Sequence, residues 1–407
     1  IARDPAALRS EVRSLLRRRA LVADDESDLE RQAAEAVHAV MGVRTRELVR
    51  AALADSLDGV DPERTARILT DATDAVLDGV LSLATGMVVA SRDGARAVES
   101  GLRGDGTWSG ALARHAVIAM GRFGGAEITY ASDADVLFVH EARPGADRRE
   151  AADEAEAVAR LVVRLLSRAQ PHSLEVDADL RPEGRRGPMS RSPGSYADYY
   201  ERWSSVWERQ ALLRARACAG DAGLGRAFEE LVEPLRWSPG GLDDDGLREI
   251  RRLKARMEAE RLPRGTTPAR HLKLGPGGLS DVEWAAQVLQ LRHAARVPGL
   301  RTTSTLAALD AARSAGLLGA SETDDLRSAW LLASRVRAAN VLGTGRDHGT
   351  RVEVLPEGQR EIRLVGRLLG MAPGRERDLE YLYRRRARHA RRIVERVVFG
   401  RICEPRP

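Results

Sequence analysis

The side-chain rhythm of this chain changes twice, and those changes limit the folds open to it. Up to about residue 100, apolar positions recur every three or four residues, as in PAALRSEVRSLLRRRALV and DPERTARILTDATDAVLDGVLSLATGMVVAS. That is the spacing of amphipathic helices, and Asp61-Pro62 is a natural helix start. Between about 112 and 235, β-rich runs break in. HAVIAMG (115–121) and DVLFVH (135–140) are short and apolar, and HSLEVDADLRP (172–182) alternates apolar with acidic residues up to Pro182. Each predicts a strand. Beyond about 240, helical spacing returns in segments such as LSDVEWAAQVLQLRHAARV and RDLEYLYRRRARHARRIVERVVFG, parted by Gly, Pro and Asp. The order predicts a mostly helical α+β protein with a small mixed sheet. The expected domains are an N-terminal helical segment over 1–105, a sheet-bearing domain over 106–238 and a C-terminal helical bundle over 239–407.

Composition narrows the function. The net charge is +5 and the pI about 9.6, but the only lysines are Lys254 and Lys273. Arginine's high pKa lifts the pI, and +5 over this length is a mild charge. With 4% aromatic residues and no stacking pattern, nothing points to nucleic-acid binding. Neither lysine follows a glycine, so there is no Walker A loop; HExxH, GxSxG and EF-hand patterns are absent too. The pair Gly104-x-Gly106 echoes a dinucleotide loop, but no strand precedes it. Two distant cysteines, Cys218 and Cys403, make no disulfide framework, which fits a reducing cytoplasm. The N-terminus is too charged for a secretory signal, and GVLSLATGMVVAS is too short an apolar stretch to span a bilayer. Beginning at Ile1, the chain is expected to be part of a longer protein.

The chemistry concentrates in GRFGGAEITYASDADVLF (121–138). Strand side chains alternate, so Asp133 and Asp135 share a face, opposite Ala134, Val136 and Phe138. Two adjacent carboxylates resist ionising together unless a cation lies between them. Hard oxygen ligands suit Mg²⁺, which takes one or two carboxylates plus substrate phosphates. On the later strand Glu175, Asp177 and Asp179 share a face. If the two strands are neighbours, Asp133, Asp135 and Asp177 converge on a two-metal site. Gly124-Gly125 lets backbone approach a phosphate, and Ser132 offers a hydroxyl. The combination points to nucleotidyl transfer.

These motifs resemble the DNA polymerase beta-like nucleotidyltransferase superfamily and, within it, the glutamine synthetase adenylyltransferases. GRFGGAEITYASDADVLF, EVDADLRPEGRRGPMSRS, WERQALLRAR and LKLGPGGLSDVEWAAQVLQLRHA carry the resemblance, in that order along almost the whole chain. The resemblance implies ATP and Mg²⁺ as cofactors and glutamine synthetase as protein substrate. It implies Asp133, Asp135 and Asp177 as metal ligands, and Gly124, Gly125 and Ser132 as the triphosphate-holding turn. Such enzymes have two halves, one adding and one removing AMP. YASDAD, WERQALLRAR and GGLSDVEW look more like the adding half, with the removing half as the alternative. A third reading makes the chain a regulatory module whose helical domain docks a PII-type nitrogen signal protein.

Other residues carry paired readings. Lys273 either reaches ATP phosphates or is a surface lysine. Arg181, inside the family's LRP tripeptide, is expected to bind phosphate, whereas Arg185 and Arg186 fit phosphate or a solvated face. Where many family members carry arginine this chain has Asp179, which either adds charge to the site or pairs with a nearby arginine. Ser280-x-x-Glu283 predicts a capping box, with Asp281 left open. His115, His140 and His172 are read as structural, and Trp203 and Trp207, one helical turn apart, as core.

Overall fold

The computed structural model describes residues 2–17, 26–93, 108, 110–169, 173–260, 262–346 and 349–400. Most of the glycine-rich stretch around Gly104-x-Gly106 lies outside these residues, as do His172 and Cys403. Three helices come first: α1 (Pro5–Arg17), α2 (Glu26–Asp58) and α3 (Pro62–Asp93). Asp61 Oδ1 accepts from the free N–H groups of Glu63 and Arg64, so α3 starts where Asp61-Pro62 predicts. The apolar stretch judged too short for a bilayer is part of this 32-residue helix, long and apolar enough to cross one by length and composition. In the fold, 89% of its most apolar window is buried inside the protein. Its apolar surface therefore serves as core.

The sheet region interleaves β1 (Ala113–Ala119), α4 (Gly121–Gly124), β2 (Ala134–Ala142), α5 (Arg148–Ser167), β3 (Val176–Asp177), β4 (Ser190–Arg191), α6 (Pro193–Trp203), α7 (Val206–Leu212), β5 (Arg216–Gly220) and α8 (Ala222–Arg236). The strand order is β3-β2-β1-β5, with β4 also on β2. β1 pairs antiparallel with β2 and β5, while β3 and β4 run parallel to β2, so the sheet is mixed as expected. Both faces are covered, which is why β1 and β2 read as continuous apolar runs. On one face Val117, Val136 and Phe138 join Val12, Val76 and Val80 of the N-terminal helices in a single core. On the other, Ile118, Leu137 and Val139 pack against Tyr196 of α6 and Phe228 of α8.

A further group of helices forms α9 (Asp244–Glu260), α10 (Leu279–His293), α11 (Thr305–Ser314), α12 (Ala320–Thr344), α13 (Gln359–Leu368) and α14 (Asp378–Phe399). Their core gathers Ile250, Leu279, Trp330, Val336, Tyr383 and Val394. Trp203 and Trp207 depart from the core expectation, being 71% and 39% exposed. The helix breaks between them: α6 ends at Trp203, and a Ser205–Glu208 capping box starts α7. The two rings therefore do not share one helix face. Ser280 does not cap α10 either. Gly278 occupies the N-cap and Ser280 lies within the first turn, leaving Glu283 free to face elsewhere.

Candidate active site

Residue pairing along β2 and β3 sets the site. Ala134 lies beside Val176 and Asp135 beside Asp177, in parallel register. Asp133 stands just before β2, exposed at its mouth. The three expected carboxylates are therefore brought to one edge of the sheet. Asp135 shows the consequence. Burial, then the negative charges of Asp133 and Asp177, push its carboxyl up to about 7, and Lys273 opposes them. Gly121, with φ +51°, is required here, because a Cβ would lie 2.2 Å from Asp135 Oδ2.

The strand expected over 172–182 is much shorter. Asp177 Oδ1 accepts the Asp179 N–H at 2.6 Å, and this local turn ends the ladder after two residues. Asp179 thus leaves the shared face and pairs with Arg185, Nε to Oδ2 at 2.7 Å. Arg181 is also redirected. It is buried, and its Nη1 and Nε donate to the carbonyl oxygens of Ala178 and Gly187 at 2.8 and 3.2 Å. Its guanidinium braces its own loop and does not line the large cleft described below.

Gly124 and Gly125 pack tightly against the protein itself. Both are buried, and a Cβ on Gly124 would sit 1.9 Å from the Arg214 carbonyl oxygen and 2.6 Å from that of Ala119. On Gly125 it would meet Arg214 Nη1 at 2.5 Å. The close approach these glycines permit is to the protein's own backbone and Arg214. Gly124→Ala is accordingly expected to destabilise the fold by about 2 kcal/mol or more, seen as a lower urea midpoint at unchanged slope. An unchanged midpoint would show that the α4 loop can yield.

Of the three carboxylates, Asp133 lines a cleft of about 640 Å³. The N-terminal helices, the sheet and the C-terminal helices each supply a wall: Arg44 and Leu48 from α2, residues 130–133 and 173–175, then Lys273, Arg337 and Glu353. Ser132 lines the cleft, and its Oγ accepts the Thr129 N–H at 2.9 Å. Tyr130 O–H donates to buried Asp55 Oδ2 at 2.9 Å, tying this loop to α2. Lys273 also lines the cleft, and its ammonium makes no ion pair among the described residues.

Arg122 was not singled out in the sequence, because one arginine is inconspicuous in so arginine-rich a chain. Its guanidinium is enclosed, with Glu283 Oε1 3.5 Å away and the Trp330 ring centroid at 5.8 Å, yet none of its three nitrogens has a hydrogen-bond partner. Burial holds its pKa below the ordinary value, with Arg337 adding to the shift and Glu283 opposing it. Asp281 belongs elsewhere: its oxygens accept from Lys254 Nζ at 2.5 Å, Gly277 N at 2.7 Å and Arg391 Nη1 at 3.0 Å. It is a buried structural anion. His140 bonds Ser190 through Nδ1 at 2.9 Å, and His115 faces Glu154 at 3.8 Å, both away from the cleft lining.

The donor set suits a hard divalent cation. All three groups are carboxylates, and the raised Asp135 carboxyl marks a crowding of negative charge that a cation relieves. Among the described residues no three His, Cys, Asp or Glu side chains already stand together at ligand spacing. A family model described as glutamate-ammonia ligase adenylyltransferase matches residues 3–231. Another, described as GlnD PII-uridylyltransferase, matches residues 248–398. A bifunctional glutamine synthetase adenylyltransferase/adenylyl-removing enzyme of Streptomyces coelicolor is 49% identical over 98% of the chain and 38% of its own length. Proteins of the same name from Streptomyces avermitilis and Mycobacterium avium are 50% and 45% identical, over 90% and 89% of the chain and 36% and 35% of their own lengths. The chain thus spans well under half the length of these curated relatives. Both carboxylate stretches, 121–138 and 175–181, fall inside the first matched region, and on that coverage and identity the chain belongs to the glutamate-ammonia ligase adenylyltransferase family.

Proposed function

We propose that this chain transfers AMP from ATP to a tyrosine hydroxyl of glutamine synthetase. The observation that carries the reading is the register pairing of Asp135 with Asp177, beside an Asp133 that lines a cleft with Arg44, Arg122, Lys273 and Arg337, in a chain of this family. The tyrosine oxygen forms a bond to the α-phosphorus, the bond to the β-phosphate bridging oxygen breaks, and pyrophosphate leaves. Asp133, Asp135 and Asp177 would hold Mg²⁺, which supplies a lowered hydroxyl pKa and charge compensation for the leaving group. Asp177 is half-buried with one oxygen held by the Asp179 N–H, and in this reading its carboxylate takes the hydroxyl proton. Lys273 and Arg122 bring positive charge to the phosphates.

The direction rests on the resemblance of YASDAD, WERQALLRAR and GGLSDVEW to the adding half. The match of residues 248–398 to a PII-uridylyltransferase model supports the C-terminal helices as the docking side for a PII-type signal protein. A cytoplasmic setting follows from such substrates. Incubation with unmodified glutamine synthetase, Mg²⁺ and ATP labelled at the α-phosphate tests the reading. Label on the synthetase with release of pyrophosphate is expected. No label, but release of ADP from AMP-modified synthetase on adding phosphate, would assign the reverse reaction instead.

A further inference from the structure

The cleft holds more buried positive charge than its neighbouring carboxylates compensate. Arg44 on α2 is only 6% exposed. Its one hydrogen bond is long, Nε to Thr73 Oγ1 at 3.4 Å, and no carboxylate lies within ion-pair distance of it among the described residues. Burial alone pushes its pKa down to about 10. Arg337 on α12 is similarly enclosed, with 3% of its side chain exposed. Its Nη2 pairs with Glu353, while Nε and Nη1 are buried without partners. Glu353 in turn serves three cations: burial works against its ionisation, but Arg337, Lys273 and Arg122 outweigh burial and hold its carboxyl below the usual range.

Burying an unpaired charge is costly. A fold retains such a cost where a ligand removes it. Each of the three walls of the cleft carries polar or charged residues, and the under-partnered groups are guanidiniums, whose planar forks match phosphate oxygens in bidentate fashion. A single carboxylate ligand would satisfy one fork; a polyphosphate chain offers oxygens to several.

We propose that Arg44 and Arg337 are phosphate-binding residues of this cleft, so that the polyphosphate site is completed only when α2, the sheet and α12 are packed together. The inference deepens the nucleotide reading of the cleft and rests on it. Its consequence is a site built from segments almost 300 residues apart in sequence. Any movement of α2 or α12 away from the sheet opens the phosphate end without touching the carboxylates.

The test is binding of inorganic tripolyphosphate and of ATP to the full chain, with thermal unfolding recorded beside it. Arg44→Met is expected to raise the melting temperature of the ligand-free protein, because an unpaired buried charge is removed. It is also expected to weaken tripolyphosphate binding at least tenfold. Arg44→Lys keeps the charge but loses the fork, and falls between the two. Arg337→Met is made together with Glu353→Gln, so that no carboxylate is stranded, and carries the same loss of affinity. Failure of the wild-type chain to bind tripolyphosphate overturns the proposal. So does wild-type affinity in both variants, or a lower ligand-free melting temperature in Arg44→Met with affinity retained, which marks a structural brace. Loss of binding in the variants, with no AMP transfer by the wild type, would keep the phosphate site and discard the adenylyl-transfer reading. Intact transfer with unchanged phosphate binding in the variants would do the reverse.

Discussion

Asp135→Asn is expected to abolish AMP transfer and, in the absence of divalent metal, to make the protein more stable. The two effects share one cause. Asp135 is held beside Asp177 by strand register, with Asp133 at the strand mouth, in a position where burial and both neighbours disfavour its charge. An ordinary aspartate titrates near 3.9 and this carboxyl is pushed up to about 7, so charging it at higher pH costs on the order of 4 kcal/mol. The sign follows from proton linkage. Between about pH 4 and 7 the folded protein keeps a proton that the unfolded chain has released. The contribution of this group to stability is therefore full below pH 4 and is lost as pH rises through 7. With metal chelated, Asp135→Asn should match the wild type near pH 4 and exceed it at pH 8 in a urea titration. Lys273 moderates the effect but does not remove it. Mg²⁺ restores the wild type selectively, since the amide cannot replace a charged ligand. Activity is expected to fall by about three orders of magnitude or more, because a metal-holding carboxylate supplies several kcal/mol at the transition state. A variant less stable than the wild type at pH 8 without metal would refute the crowding argument. Retained transfer would remove Asp135 from the site.

What the sequence disclosed here follows from which interactions are local. The shared face of Asp133 and Asp135 is a property of any strand, and the apolar run after them left little choice but a strand. Asp177 stands out in the sequence because Leu174, Val176 and Ala178 alternate with acids, and all three are buried. The same alternation misled one step further on. A hydrogen bond from the Asp179 N–H to the Asp177 side chain ended the strand, and periodicity carries no sign of such a bond. Gly124-Gly125 looks the same in sequence whether a phosphate or a backbone carbonyl approaches it; only the Arg214 carbonyl oxygen beside it decides. Ser280-x-x-Glu283 satisfies the capping pattern, yet the helix begins two residues earlier and Glu283 faces Arg122. Arg44, Arg122 and Arg337 were hidden among many arginines. What distinguishes them is burial with fewer partners than a guanidinium can take, a tertiary property that no spacing encodes.

The second large effect concerns what joins the carboxylate loop to the C-terminal helices. Arg214, just before β5, and Glu127, just after α4, are both about 95% buried and pair at 3.1 Å. Arg214 also donates to the Thr303 carbonyl and to Thr305 Oγ1, and Glu127 accepts from the N–H and hydroxyl of Thr305 at the start of α11. The pair thus pins the sheet region to the helical bundle, and Gly125 rests against the same guanidinium. Burial pushes the Glu127 carboxyl upward, and Arg214 is the strongest force holding it ionised. Arg214→Met leaves that carboxylate stranded. The expected loss is about 3–5 kcal/mol, the usual cost of removing one partner of a buried ion pair, read as a lower urea midpoint. Glu127→Leu combined with Arg214→Met removes both charges and should recover at least half of the loss, because the two substitutions share one interaction and cannot add. Equal or greater instability in the double variant would mean that packing, not a stranded charge, governs the junction. Recovery would mean that the pair contributes mainly by fixing one docking geometry, and that geometry is what brings Lys273 and Arg337 to the same cleft as Asp133.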